Sequence, residues 1–159
     1  INSGSCSNPA ILHLQLAADG QVYISGIFNT INGNAHRLLA RISASTGQLD
    51  SAWQPVSALS SRPEGLEFSF DAPSHLYMAA DFGGVQYGSL FRSIARVSTI
   101  TGSLDPSFNA GLGAYTVVAT ANGVLIGGEF GQVLGNARSG LARLLPTAPD
   151  AVFRNGFEP

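Results

Sequence analysis

The stretch Val22-Tyr23-Ile24-Ser25-Gly26-Ile27-Phe28 decides the fold, because the chain uses it three times. It returns as Leu76-Tyr77-Met78-Ala79-Ala80-Asp81-Phe82 and as Val124-Leu125-Ile126-Gly127-Gly128-Glu129-Phe130. Each copy is an apolar run with a very small residue two places before a phenylalanine. The copies lie roughly fifty residues apart, a period typical of repeat architectures. The repeated pairs are Gly26 and Phe28, Ala80 and Phe82, and Gly128 and Phe130.

The residues around each copy predict four antiparallel strands. In the first unit an apolar strand precedes the turn Asp19-Gly20, and a third and a fourth strand flank the turn Thr46-Gly47. Glycine tolerates the positive φ that such tight turns require. We therefore predict an all-β chain of three tandem four-stranded units. The predicted segments are a flexible lead-in at 1–9, a β domain at 10–145 with units near 10–58, 64–111 and 114–145, and a C-terminal edge strand and tail at 146–159.

The repeated strand is apolar on both faces, which indicates that its sheet is covered on both sides. One face of the first copy carries Val22 and Ile24, and the other begins with Tyr23. The small residue would let neighbouring sheets or backbones approach closely. Sheets stacked face to face, like the blades of a β-propeller, meet both demands. A β-trefoil is the alternative, since three four-stranded units of this length could also close into a barrel.

An Arg–Asp pair recurs at one position of the units. Strand alternation and the turn at 46–47 make Arg41 and Asp50 diagonal neighbours on one face, and Arg96 and Asp105 repeat the spacing. Arg143 holds the same position in the third unit. A residue that occurs in every unit is typical of architecture, so we predict structural bridges between strands rather than a catalytic or anion-binding site.

The ordered set of motifs resembles a known repeat. In the first unit the set is Asp19-Gly20, Gly26-Ile27-Phe28, Asn32-Gly33, Leu39-Ala40-Arg41-Ile42 and Leu49-Asp50-Ser51-Ala52-Trp53; the second unit keeps Ile94-Ala95-Arg96-Val97 and Leu104-Asp105-Pro106-Ser107-Phe108, and the third keeps Leu141-Ala142-Arg143-Leu144. This set resembles the bacterial delta-sixty repeat family. The resemblance implies propeller-like repeats in a secreted or cell-surface protein, without catalytic residues to transfer. The tail at 152–158 also resembles a short C-terminal motif of some secreted bacterial proteins.

The composition argues against several classes of function. Only 11% of the residues are charged and the net charge is −2, so there is no basic surface for nucleic acid. No apolar run approaches the ~20 residues of a membrane-inserted helix. His13, His36 and His75 lack partners at metal-ligand spacing, and no nucleophile elbow occurs. We therefore expect no enzyme activity, no cofactor and no metal.

Three blades are fewer than the 4–8 that usually close a propeller, so two apolar sheet faces should lack a cover. Two copies could form a six-bladed ring, copies could stack into a filament, or the chain could be part of a longer propeller. We therefore expect a structural protein that associates with itself through exposed blade faces.

Binding of an extracellular glycan or protein is the alternative function. Its surface would be the loops at 29–36, 83–90 and 131–138, which should cluster at one end of the stack. The candidate ligand-binding residues are His36, Tyr87, Asn32 and Asn136. An exposed ring at His36 or Tyr87 would offer a platform for a sugar.

Overall fold

The computed structural model describes residues 9–55, 66–71, 75–80, 85–87, 90–106, 108, 113–120 and 123–144. For 66–71, 80, 85–87 and 90–92 it describes the backbone alone. These residues form strands and turns, without a helix among them. The prediction of an all-β fold is therefore confirmed.

The strands fall into three groups in chain order. The first unit has β1 (Ala10–Leu16), β2 (Gln21–Ile27), β3 (Thr30–Ile31), β4 (Asn34–Ala35) and β5 (Leu39–Ser43). The second has β6 (Leu66–Asp71), β7 (His75–Ala80), β8 (Val85–Tyr87), β9 (Leu90–Arg92) and β10 (Ile94–Ser98). The third has β11 (Ala114–Thr120), β12 (Gly123–Gly128), β13 (Gln132–Val133), β14 (Asn136–Ala137) and β15 (Leu141–Leu144).

Each unit contains one three-stranded antiparallel sheet, with the repeated stretch as its central strand. The orders are β1-β2-β5, β6-β7-β10 and β11-β12-β15. Each segment predicted as a loop between the second and third strands contains a small two-stranded hairpin: β3-β4, β8-β9 or β13-β14. Every described sheet thus draws its strands from one continuous stretch of chain.

The predicted fourth strand is much shorter than expected. In the first unit it consists of one bridge between Ile42 and Leu49, and in the second of one bridge between Val97 and Leu104. The next residue explains why pairing stops. The Asp50 carboxylate accepts hydrogen bonds from the backbone N–H groups of Ala52 (3.0 Å) and Trp53 (3.2 Å), so the chain turns instead of extending. The main sheets of the first and second units therefore have three described strands rather than four, and the fourth strand predicted for the third unit lies outside the described residues.

The sheets are stacked face to face in a constant order. We call the side of each sheet that carries Val22, Ile24, Ala40 and Ile42, or their equivalents, face A. The opposite side, with Tyr23, Ser25, Leu39 and Arg41 or their equivalents, is face B. One buried cluster joins face B of the first unit to face A of the second, and another joins face B of the second to face A of the third. This stacking matches the prediction of blades, and the described sheets do not form the barrel of a trefoil.

Two repeated glycines are explained by a bulge within their own sheets. The register between β1 and β2 shifts at Ile11/His13, and that between β11 and β12 shifts at Ala114/Thr116. A Cβ on Gly26 would lie 2.1 Å from the Ala10 carbonyl oxygen, and one on Gly128 would lie 2.0 Å from that of Gly113.

The second unit has an alanine at this position. Ala80 pairs with Leu66 in an unshifted ladder between β6 and β7. The prediction that the small residue permits close approach is thus met at both glycines, but the approaching backbone belongs to the same sheet.

Candidate functional site

The contact between the first and second units is held at one end by Arg41. Its Nε and Nη2 donate hydrogen bonds to Asp50 Oδ2 at 3.1 and 2.5 Å. Its Nη1 donates to the carbonyl oxygen of Thr99, which belongs to the second unit, at 2.5 Å. The guanidinium carbon lies 5.2 Å from the Trp53 ring centroid. Arg41 therefore joins two strand segments of its own unit and also reaches the next unit.

Trp53 makes a second polar contact across this boundary. Its indole Nε1 donates to the Ser98 carbonyl oxygen at 3.2 Å, and its ring packs edge-on against Tyr23 with centroids 5.1 Å apart. The Trp53 side chain is fully buried in the cluster between the two sheets. Because the indole is both apolar and a hydrogen-bond donor, it fills the interface and satisfies a carbonyl there.

Burial and pairing set the ionisation of this group. Burial alone would raise the pKa of Asp50, but the hydrogen bonds from Arg41 and the backbone outweigh burial and hold that pKa below its ordinary value. Burial likewise works to lower the pKa of Arg41, and its bonds to Tyr23 and Asp50 raise it overall. Burial raises the pKa of Tyr23. The pair is therefore fully charged and the phenol neutral near pH 7.

The second unit repeats the arrangement. Arg96 Nε donates to Asp105 Oδ2 at 2.9 Å, and Nη2 donates to the same oxygen. The guanidinium carbon lies 5.0 Å from the Phe108 ring centroid, and Phe108 packs against Tyr77 with centroids 5.3 Å apart. Arg143 of the third unit lies on face B, paired with Leu125 across β12 and β15. The Asp and aromatic residue that follow it in sequence lie outside the described residues.

Face A of the first unit is more exposed at its first strand than face A of the third unit. Leu14 and Leu16 pair with Ile24 and Val22, so they lie on face A, and each is 65% exposed. The same positions in the third unit are Val117 and Ala119. Val117 is only 3% exposed, because it packs against the second sheet.

The central part of this face is better covered. Ile24, Phe28 and Ala40 are buried together with Ile31, while Val22 and Ile42 are half-buried beside them. The expectation of a wholly bare face is therefore too strong: the exposed apolar area is concentrated on β1.

Face B of the third unit is the second exposed surface. Leu141 is 42% exposed, whereas Leu39 and Ile94, at the equivalent positions of the other units, are fully buried. Val118 pairs with Leu125 on this face and is also exposed. The two ends of the described stack thus present apolar residues of complementary faces, A at one end and B at the other.

Sequence reasoning did not single out these exposed residues. Leu14 looks the same in sequence as Val117, its buried equivalent in the third unit, and Leu141 looks the same as Leu39. Only the position of a unit within the stack separates them. An alignment of the three units, read together with the order in which they stack, would have identified these residues.

His36 does not form the exposed ring that was expected. Its side chain is 4% exposed, and neither ring nitrogen has a hydrogen-bond partner. Burial lowers the pKa of His36, although the charge of Asp50 works in the opposite direction. A buried imidazole cannot serve as a stacking platform for a sugar, so this residue is better understood as part of the packing.

The other candidate ligand-binding residues lie in the hairpins of different units. Asn32, with φ 49°, is exposed at the tip of β3-β4. Asn136 is exposed in β14, where its amide donates to the Leu134 carbonyl at 3.2 Å and so braces its own turn. The backbone of Tyr87 ends β8, but its side chain is not among those described. Phe82 lies outside the described residues, whereas Phe28 and Phe130 are buried.

Two kinds of feature are absent from the described ranges. No three His, Cys, Asp or Glu side chains there group in a way that could hold a metal ion. That part of the chain also has no helix with the length and apolar character that crossing a membrane requires.

Comparison with known families agrees with the stacked sheets. A family model described as a domain of unknown function (DUF5122) beta-propeller matches residues 17–52 and 120–147. No curated protein and no solved structure matches the chain. The matched segments contain the central strands of the first and third units, which are the units with the glycine and the bulge. The match supports a propeller-repeat family.

Proposed function

We propose, from the premise of a propeller-repeat protein, that the chain is a non-enzymatic structural protein that associates with itself through its outer sheet faces. The product would be a closed ring or an open filament. The delta-sixty resemblance and a secreted or cell-surface setting are part of this proposal.

One observation carries the proposal: equivalent positions are buried inside the stack and exposed at its ends. Leu14 is 65% exposed where Val117 is 3% exposed. Leu141 is 42% exposed where Leu39 and Ile94 are buried. Face B packs on face A twice within the chain, and the exposed faces at the two ends are again one A and one B, which supports the same packing between copies.

The energies are large enough to matter. Complete burial of a leucine side chain is worth about 1.5–3 kcal/mol. Covering Leu14 and Leu16 in one copy and Leu141 in another would therefore supply several kcal/mol before the cost of association. A net charge of −2 offers little electrostatic repulsion between copies.

The polar groups of the stack support a structural role. Arg41 and Arg96 donate to Asp50 and Asp105, and the two guanidinium groups lie over aromatic rings inside the stack. These charged groups are thus used to hold strands and units together.

The test is the molecular mass in solution as a function of protein concentration, measured by sedimentation. The parent should form dimers or larger species, and Leu14→Glu with Leu16→Glu should shift the equilibrium to monomers. Ile100→Glu is the matched control, because Ile100 is an exposed apolar residue on a turn of the second unit. Electron micrographs of the parent would then separate rings from filaments. A parent that stays monomeric at all concentrations would contradict the proposal.

A further inference from the structure

In the contact between the first two units, the turn at Ser98–Gly102 of the second unit is the receiving element, because it accepts hydrogen bonds from the first unit. Its Ser98 and Thr99 carbonyl oxygens accept hydrogen bonds from Trp53 and Arg41 of the first unit. Gly102 lies against the segment that follows Trp53: a Cβ there would be 2.7 Å from the Gln54 carbonyl oxygen and 2.9 Å from the Pro55 nitrogen. Glycine is thus required here by the neighbouring unit as well as by its φ of +79°.

The first unit contains the same turn at Ser43–Gly47. Gly47 N–H donates to the Ser43 carbonyl at 2.8 Å, as Gly102 N–H donates to that of Ser98 at 2.9 Å. In both turns the serine hydroxyl also accepts a hydrogen bond from the threonine N–H three residues later. The turn is therefore formed in the same way whether or not another unit packs on it.

The surroundings of the two turns differ. A Cβ on Gly47 would meet nothing within 4 Å. Ala44, at the position of Thr99, is exposed, whereas Thr99 is 7% exposed. The turn at 43–47 therefore has the receiving geometry and open space beside it.

The donor that would match this turn lies on the other end of the stack. Arg143 pairs with Leu125 on face B of the third unit, as Arg41 pairs with Tyr23 on face B of the first. Arg41 contacts Asp50 and still reaches the next unit, so contacts within its own unit do not prevent this residue type from bridging.

We propose that the turn Ser43–Gly47 is a docking site for the third unit of a second copy of this chain, with the Arg143 guanidinium of that copy donating to the Ala44 carbonyl. The inference rests on the proposed self-association and specifies its geometry. The contact is heterologous, face B of one copy on face A of the next, so each copy has one donor end and one receiving end.

The first experiment compares Gly47→Asn with Gly33→Asn by sedimentation. Both glycines have positive φ and open space around a Cβ, and asparagine tolerates such a φ. In the chain, Gly33 lies before the start of β5 and Gly47 lies after its end. Asparagine at 47 would occupy the space that the incoming unit needs, so the dissociation constant should rise about tenfold or more, whereas Gly33→Asn should leave it unchanged.

The second experiment tests the direction of the contact. Leu141→Glu blocks the donor end, and Gly47→Asn blocks the receiving end. At a concentration where the parent associates, each variant alone should associate at least about tenfold more weakly, but an equimolar mixture should form one-to-one dimers through the remaining pair of intact ends. Val118→Glu is a second donor-end variant, and thermal unfolding of every variant checks that it is folded.

Arg143 is tested separately. Arg143→Met should weaken association about tenfold, since one charge-assisted hydrogen bond is lost, and Arg138→Met should not.

The outcomes separate the inference from the proposed function. A monomeric parent overturns the proposed function and the inference with it. A parent that associates, but whose association survives Gly47→Asn, overturns the docking site and leaves self-association standing. Blocked variants that dimerise alone would show a symmetric contact and overturn the direction.

Discussion

Replacing Gly128 with alanine should destabilise the fold, because the new methyl group would enter the backbone of the neighbouring strand. The Cβ would lie 2.0 Å from the Gly113 carbonyl oxygen and 2.6 Å from the Ala114 Cα. Real Cβ atoms essentially never come within 3.0 Å of another heavy atom. The bulged start of β11 would therefore have to move away from β12 by about 1 Å.

The loss of folding stability follows from the contacts that this movement breaks. The Glu129 N–H donates to the Gly113 carbonyl at 2.7 Å, and a broken hydrogen bond of this kind costs about 1 kcal/mol. Ala114 is buried in the cluster between the second and third sheets, and overpacking of such a site costs about 1–3 kcal/mol. Alanine also restricts the unfolded chain, which returns about 0.4–1 kcal/mol. We expect a net loss of about 2–3 kcal/mol, a large part of the 5–15 kcal/mol typical of a domain.

The assay is urea unfolding followed by circular dichroism, with the free energy of unfolding compared between variants. Gly131→Ala is the control, because a Cβ there meets nothing within 4 Å, so the variant should be as stable as the parent or more stable by up to about 1 kcal/mol. A Gly128→Ala variant as stable as Gly131→Ala would refute the steric explanation of the repeated glycine.

Three further predictions concern the inner contacts. Arg41→Lys should lower the free energy of unfolding by about 1–2 kcal/mol, because lysine cannot keep both the two hydrogen bonds to Asp50 and the bond to the Thr99 carbonyl. Chemical denaturation measures this loss, and an unchanged midpoint would contradict a stabilising role for the bond to Thr99. Trp53→Phe should cost about 1 kcal/mol through loss of the bond to the Ser98 carbonyl, and a calorimetric loss near zero would show that the bond is not stabilising. Burial lowers the pKa of His36, so the neutral ring contributes its full stability above about pH 6.5, and this stability is lost as the pH falls towards the lower folded-state pKa. His36→Phe should therefore flatten the decline in unfolding free energy between about pH 7.5 and 5.5. An equally steep decline in both proteins would contradict a role for His36 protonation.

The architecture was predictable because the same local pattern occurs three times. A single apolar strand between turn residues is compatible with many folds, but three copies at a similar spacing leave few folds that would suit all of them. The very small residue at Gly26, Ala80 and Gly128 also indicated a close backbone approach, which occurs at the two glycines. The pairing of Arg41 with Asp50 followed from strand geometry and a turn of known length.

Other features depend on tertiary context that no local pattern contains. The spacing of Asp50 and Trp53 suggests a continuing strand, yet the aspartate carboxylate caps the following backbone and ends it. His36 lies in a polar segment, and its burial follows from tertiary packing that this segment does not indicate. The functional candidates, Leu14 and Leu141, are ordinary core residues in sequence and are exposed because the described stack ends beside them.

The assembly of every sheet from one continuous stretch of chain has an evolutionary consequence. No strand is exchanged between the described sheets, so a gene segment encoding one unit can be duplicated or deleted in frame without leaving another sheet incomplete. Each added unit brings one face to cover its predecessor and offers the other to its successor. Selection can therefore adjust the length of such a protein in whole units, while single positions, such as alanine at 80 where the other units have glycine, can differ between units.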